Sequence, residues 1–573
     1  MLGLDIVDVC TLLIYLAGIT VVGLWMGKTV HDTTDYFVAG RRFGKLFATF
    51  HAFGTGTHSD QAVSVAAKTY TAGMSGIWYQ WLWLFVTPFY WLIFPLLRRC
   101  RAITTGDYFQ ARYGRSVAML FVIVGILNLM VNIGTILRGS GAVIRAATGD
   151  TVNENLAIAA MTVLFVTYGV VGGFSAAVVT DFFQGLLTIV FSFLLLPFAL
   201  HQVGGFAGLH EKVALYAPDP AAMWSLVAPG EIGFYYILMI ALNGLVGIVV
   251  QPHIVPGSNA IRSEQAAQLG HVAGNLIKRV CTVAWVLLGM CAFVMYPHLI
   301  DKADIDQSFG RIARDLLPDI LPGLVGIFLA SLLASIMSSC DSFMMTCSAL
   351  FTHNIYRPLI APNRSEKHYI NVGRAAAIVT VAGGVGFAYQ FESVLQGLEL
   401  FWKISAMMGI AFWFGLFWRR ATTAGAWAST LTAFGILYIT SQPMFVEWAH
   451  KTMPFLFFAP DAEAVYLPTQ MLLYLGAGTA AMIAVSLLTQ PPATDKLDRF
   501  YEVVRTPVQP GEVIQQPFTL PANVEPAAQR KLIPHRDWEI QRPNARGLIG
   551  FAVVWLIVGG LIGSVAWIVR IGA

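Results

Sequence analysis

Runs of roughly twenty predominantly apolar residues recur along the chain, and a helix needs about that length to cross the ~30 Å hydrocarbon core of a bilayer. They fall near residues 5–26, 47–71, 75–97, 117–143, 155–172, 177–200, 232–255, 275–298, 321–350, 371–391, 396–418, 423–441, 469–489 and 548–570. No water is available there to satisfy backbone groups, so each run is expected to be helical. The composition agrees: 56% of residues are hydrophobic and 12% charged, about half the charged share of a soluble chain. The expected fold class is an all-α integral membrane protein with about 14 transmembrane helices, its first partner being the lipid bilayer. A net charge of +4 gives no footprint for nucleic acid, and no GxxxxGK[ST] run offers a nucleotide site. The six cysteines are scattered without metal-ligand spacing and read as small buried hydrophobes.

Positive charge concentrates in alternate connections. Lys28, Arg41, Arg42 and Lys45 follow the first run; Arg98, Arg99, Arg101, Arg112 and Arg115 follow the third. Later groups are Arg262, Lys278 and Arg279; Arg357, Arg364, Lys367 and Arg374; then Arg419 and Arg420. The positive-inside rule makes these loops cytoplasmic and puts both termini outside a plasma (cytoplasmic) membrane. The first run lacks a basic n-region and a small-residue cleavage site, so no cleaved leader is expected. Residues 490–547 are rich in Pro, Gln and Glu and read as a cytoplasmic polar linker, with 548–573 a final membrane helix.

The run Leu321–Tyr356 carries polar groups at mid-depth. Ser335, Ser338, Ser339 and Ser342 share one helix face, with Asp341 beside it. Serines there can bond back to their own helix, but a carboxylate among them points to a cation, and hard oxygen donors suit Na⁺. Two other runs are interrupted. Gly54-Thr55-Gly56-Thr57-His58-Ser59-Asp60 breaks the second, and Asn243-Gly244, Gly247 and Gln251-Pro252 break the seventh. Close helix packing accounts for the glycines but not for Asp60 or Asn243. Interrupted helices five spans apart are the mark of a transporter built from inverted repeats, and irregular backbone at that depth lines a cavity.

These segments resemble the solute:sodium symporter family, which includes sodium-coupled proline, glucose, sialic acid and pantothenate carriers. The resemblance rests on GTHSD (56–60), GGFSAAVVTDFFQG (172–185), GIVVQPHIVPGSNAIRS (247–263), SLLASIMSSCDS with FTHNIYRP (331–358) and GLFWRRATTAGA (415–426), in that order. It implies a LeuT-like fold. Residues 1–46 would be a leading helix and loop, 47–418 a core of two inverted repeats (47–200 and 232–418), and 419–489 accessory helices. It also implies a principal Na⁺ site made by the carbonyls of His58, Gln61 and Ser335 with the hydroxyls of Ser338 and Ser339. A second site, for Na⁺ or H⁺, would use Asp181, Ser338, Asp341 and Ser342; the alternative for Asp181 alone is a helix cap.

For the solute, the resemblance points to Asp60, Ala62, Ser64, Val65, Trp78, Trp81 and Asn243, with Gln80 nearby. Arg138 lies about four turns into its span and needs a partner or a cavity; it would bind a substrate carboxylate or pair with Asp60. The implied function is secondary active symport, inward Na⁺ movement driving uptake of a small carboxylate-bearing solute. A sodium-coupled sugar or polyol carrier, or a membrane sensor on the same scaffold, is the alternative. An enzyme is not expected, because no nucleophile–base or metal constellation is visible.

Overall fold

The structure is a computed structural model that describes residues 4–572 except 229–231, 300, 392, 460, 461, 510, 511, 513 and 515. Among the described residues, extended pairing is limited to isolated bridges, and everything else regular is helical. The principal helices are α1 (Ile6–Met26), α2 (Lys45–Gly56), α3 (Ser59–Ala72), α4 (Thr87–Arg99), α5 (Arg115–Ala147) and α6 (Glu154–Phe193). They continue with α7 (Phe234–Ile248), α8 (Ile254–Asn259), α9 (Glu264–Met295), α10 (Leu324–Ala349) and α11 (Glu366–Ala388). The last are α12 (Val394–Phe417), α13 (Thr423–Thr440), α14 (Leu467–Leu488), α15 (Thr494–Arg505) and α16 (Ala545–Ile568). Among the described residues, nine continuous helical stretches are long and apolar enough to cross a membrane. The runs at 47–71, 75–97 and 232–255 are divided into shorter helices, and the pair 155–172 and 177–200 falls within one continuous stretch.

α6 holds 40 residues, which as a straight rod would reach about 60 Å, twice the hydrocarbon thickness. It does not run straight. Gly173 has φ 61° and ψ −161°, and a Cβ there would strike the Tyr36 ring. The Gln184 amide reaches the Tyr168 hydroxyl at 3.2 Å, although sixteen helical residues span about 24 Å. The chain therefore folds back at Gly173, making the two antiparallel arms expected from the sequence.

α10 is the central helix. It is buried continuously from Phe328 to Leu350 and packs on α6, α1, α5 and α11. Asp8 sets its start: its carboxylate accepts from the Gly326 amide (2.8 Å) while also closing the capping box of α1. A carboxylate at a helix N-terminus satisfies open amides and the helix dipole together.

Both interrupted helices are present. Thr57 and His58 are extended (φ −131° and −135°) between α2 and α3. α7 ends at Ile248 and α8 resumes at Ile254, so this break lies at Gln251-Pro252, while Asn243, Gly244 and Gly247 remain helical. Proline removes a backbone donor and blocks the preceding turn. Gly247 serves instead to bring α7 against α12, where a Cβ would meet the Ala406 amide at 3.2 Å.

The stretch 490–547 is more firmly held than its composition implies. α15 buries Leu497, Phe500, Tyr501, Val503 and Val504 against the arginine-rich end of the bundle. Phe518 stacks on Phe500 at 5.3 Å. Fully buried Arg101 pairs with Glu512 (Nη2–Oε2 2.9 Å) and also donates to the carbonyls of Thr506 and Pro507. Burial pushes the Glu512 carboxyl up, but Arg101 and the Gln509 amide outweigh it and hold the group below its usual range. This contribution is therefore complete at neutral pH and fades as pH falls through the range where the carboxyl protonates. Removing one partner of a buried pair costs about 3–5 kcal/mol. Arg101→Ala is expected to release the tail and speed tryptic cleavage at Arg530 and Lys531 at least tenfold, followed by mass spectrometry of timed digests; unchanged cleavage would show the tail is held elsewhere.

Candidate ion and solute site

Three helices bring polar groups together at the centre of the protein. On α10, Ser338 donates to Asp181 Oδ1 of α6 at 2.5 Å, and Ser339 donates to the Gly54 carbonyl of α2 at 3.1 Å. Asp181 Oδ2 lies 2.6 Å from His51 Nδ1 and 3.3 Å from Thr55 Oγ1. Thr55 Oγ1 in turn is 2.9 Å from Ser342 Oγ. An ionised carboxylate only accepts, so the imidazole Nδ1–H and the hydroxyls are its donors. Gly54 makes the approach possible, since a Cβ there would come within 2.5 Å of Ser338 Oγ. His51 and Thr55 stand four residues apart and share a face of α2; that spacing is the signal by which sequence reading could have found them.

The serine pair thus meets α2 at Gly54, not at the residues expected after the break. The His58 carbonyl accepts from the Gln61 amide at 3.1 Å. The His58 imidazole pairs through Nδ1 with Asp60, and its Nε2 lies 2.9 Å from the Gln61 side-chain nitrogen. The Ser335 hydroxyl bonds back to the Leu332 carbonyl at 2.8 Å. The second expected set divides in the same way. Asp181 and Ser338 are bonded directly and Ser342 joins them through Thr55, whereas Asp341 faces the other arm of α6. A Cβ at Gly169 would lie 2.8 Å from Asp341 Oδ1. The Asp181 carboxylate, the hydroxyls of Ser338, Ser339, Thr55 and Ser342 and the Gly54 carbonyl form a set of oxygen donors that fits a hard monovalent cation.

Beside this cluster both helix breaks open on one narrow cavity of ≈ 60 Å³, room for about four waters. Its wall includes Lys278 and Arg279 of α9 and the imidazoles of His51, His58, His253 and His271. Gln61, Gln80, Gln251 and Asn132 supply amides, and no Asp or Glu is among the described lining residues. Lys278 Nζ donates to the Gly56 carbonyl, at the end of α2. Arg279 donates to the Gln80 carbonyl at 2.6 Å. The positive-inside pattern places Lys278 and Arg279 in a loop. Ser263 caps α9 at Glu264 instead, so both lie well inside a helix of 32 residues. His271, Asn275 and Lys278 recur at helical spacing, a polar stripe that marks this face.

Asp60, Ala62, Ser64, Val65, Trp78, Trp81, Arg138 and Asn243 do not line this cavity. Ser64 donates to the Asp60 carbonyl at 2.7 Å, and the Trp78 and Trp81 indoles donate to the carbonyls of Leu226 and Arg279. Asn243 is committed to the Tyr474 hydroxyl (2.5 Å) and the Trp402 carbonyl (3.3 Å). Arg138 pairs with Glu154 at 2.5 Å rather than with Asp60, in a cleft that also contains Arg145, Asp150 and Asn153. Arg138 stands about six turns after Arg115 in a helix of 33 residues, toward its far end, which is why it finds a partner in Glu154 at the start of α6.

The model of the sodium:solute symporter family matches residues 36–433. A sodium/glucose cotransporter of Vibrio parahaemolyticus is 25% identical over 498 residues, covering 79% of this chain and 87% of that protein. A sodium/proline symporter of Haemophilus influenzae is 24% identical, covering 87% and 98%. Among solved structures, a Na⁺-coupled sialic acid symporter in a substrate-bound outward-open state superposes with a TM-score of 0.68 at 18% identity, over 85% of this chain and 98% of that one. The shared fold is the LeuT-like one, with its two broken helices. The chain belongs to the sodium:solute symporter family, multi-pass membrane proteins that couple Na⁺ to the movement of a small solute.

Proposed function

We propose that this symporter takes up a small carboxylate-bearing solute, an organic acid or amino acid, across the plasma membrane, with its arginine-rich end in the cytoplasm. The observation that carries this reading is the cavity wall: a lysine, an arginine and four imidazoles, with no carboxylate among the described lining residues. His51 and His58 are answered by Asp181 and Asp60 behind the wall. Lys278 and Arg279, however, donate to carbonyl and amide oxygens and have no ion pair among the described residues, and cations so placed favour an anionic guest. Lys278 takes the role that the family resemblance assigns to Arg138, because its ammonium reaches the broken helix while Arg138 is paired with Glu154. In its present shape the cavity is far below the ≈ 300 Å³ of an ordinary ligand pocket, so solute entry requires the walls to part.

Na⁺ would be held among Gly54, Asp181, Ser338 and Ser339, pinning α2 to α10 and α6. Binding that orders this turn raises solute affinity, and the coupling is reciprocal. Rocking of one set of helices against the other then exposes the site to the opposite side. Each positive charge moved inward through 100 mV supplies about 2.3 kcal/mol.

A sugar or polyol is the second reading. It is favoured by the amide-rich wall, in which both side-chain polar atoms of Gln80 are buried without a hydrogen-bond partner, and by the glucose and myo-inositol carriers among the relatives. Counterflow into proteoliposomes separates the two: an acid is expected to compete strongly for uptake and its neutral amide weakly. Equal competition by both would end the carboxylate reading and leave the neutral solute.

Ser338→Ala with Ser339→Ala is expected to leave a folded protein whose half-saturating Na⁺ concentration rises at least tenfold, since each lost ligand costs about 1–3 kcal/mol. Sodium-activation curves measure this, and an unshifted curve would remove the pair from the ion site. Lys278→Gln should raise KM for the acid at least tenfold and leave that for the amide within a factor of two. Arg138→Ala, by contrast, breaks a partly exposed pair and should change KM for the acid less than threefold; a larger effect would return the carboxylate to Arg138.

A further inference from the structure

At the arginine-rich end, α4, the first turn of α9, the tail and the start of α16 enclose a second cavity of ≈ 460 Å³. One wall is apolar, made by Trp91, Leu92, Pro95 and Leu96 of α4 with Leu416 and Phe417 at the end of α12. The cavity is also lined by Arg99 at the end of α4 and by Arg505, Arg542 and Arg546. Its two carboxylates are already neutralised. Glu264 pairs with Arg99 at 3.0 Å, and Glu539 pairs with Arg419 at 2.7 Å and Lys531 at 3.1 Å. Among the described residues, the guanidinium groups of Arg542 and Arg546 have neither an ion pair nor a hydrogen bond, and both residues are exposed. Two uncommitted cations therefore stand beside an apolar trough, at the level where the chain re-enters the membrane as α16.

α16 is mostly exposed along its length, so the trough opens beside a helix whose outer face meets lipid. A soluble anion would satisfy the arginines but leave the apolar wall wet. A neutral lipid would cover the wall but leave the arginines unmatched. An anionic amphiphile satisfies both. We propose that this cavity is a binding site for an anionic phospholipid, its phosphate held between Arg542 and Arg546 and an acyl chain laid along Trp91–Leu96. Guanidinium groups match phosphate oxygens through paired hydrogen bonds, and basic pockets between membrane helices on the cytoplasmic side suit such headgroups. The site is independent of which solute is carried.

The test is native mass spectrometry of the full chain, released from vesicles containing equal amounts of phosphatidylglycerol and phosphatidylcholine and washed in detergent. Wild type is expected to retain phosphatidylglycerol preferentially. Arg542→Ala with Arg546→Ala should lower that retention roughly 25-fold, about fivefold per charge, while Arg542→Lys with Arg546→Lys should keep most of it. Equal retention of the two lipids by wild type, or undiminished preference in the alanine pair, overturns the proposal. Displacement of the lipid by millimolar glycerol 3-phosphate also overturns it, because the cavity would then be a site for a soluble phosphate. An unchanged thermal unfolding midpoint in the alanine pair confirms that any loss comes from the site and not from misfolding.

Discussion

A carboxylate sealed inside a membrane protein has to be answered by donors, and Asp181 decides much of what surrounds it. Fully buried on the second arm of α6, it draws on the His51 imidazole and Thr55 hydroxyl of α2 and on the Ser338 hydroxyl of α10. No single helix could supply those groups. Their convergence needs α6 to fold back, which Gly173 permits at positive φ, and needs α2 to lie almost on top of α10, which Gly54 permits by lacking a side chain. These glycines, far apart in the chain, therefore serve one electrostatic requirement. An unpaired charge at that depth would cost several kcal/mol.

The sequence was most legible where chemistry and membrane physics conflict. Serines and an aspartate in the middle of an apolar run identified α10, and the glycines and polar residues of 54–60 located the first break to within a residue or two. What sequence reading missed depends on rotation and on helix ends. The position of Gly54 opposite Ser339 follows from how far α2 extends before it unwinds, and Thr57 and His58 carry the extended backbone that periodicity cannot time. The family resemblance groups Asp341 with Asp181 in one second cation site. One residue of helix turns a side chain by about 100°, and that is enough to aim Asp341 at Gly169 on the other arm of α6.

Charges misled for a related reason. A Lys–Arg pair beside an apolar run resembles a loop, and Lys278 and Arg279 fit the alternation of positive connections. Their helix begins fourteen residues earlier because Ser263 caps it, its side chain accepting from the Ala266 amide at 3.2 Å. Its first turns are polar on one face because they border a cavity rather than lipid. Arg138 is the mirror case. A count of about four turns makes it deep, but it stands about six turns after Arg115, toward the far end of α5, where Glu154 at the start of α6 meets it. Depth in a membrane is set by where a helix starts and how long it is, and only the structure supplies both.

The last turn of α2 ties the candidate ion cluster to the cavity beside it. Its Gly54 carbonyl accepts from Ser339, and its Gly56 carbonyl, two residues on, accepts from Lys278. A hydroxyl has one proton to donate and two lone pairs, so Ser338 can donate to Asp181 while turning its lone pairs toward a cation. Ser339, by contrast, spends its proton on the carbonyl that a cation would also claim. A bound Na⁺ would loosen that hydrogen bond and shift the turn, and the same displacement moves the carbonyl against Lys278. An ammonium has three donors, so while Gly56 holds one the others remain for a guest, and a shift of the turn re-aims them. On this reading the two sites need no long chain of contacts, since one short segment at the edge of a broken helix has differing interactions with ion and solute, as reciprocal coupling requires.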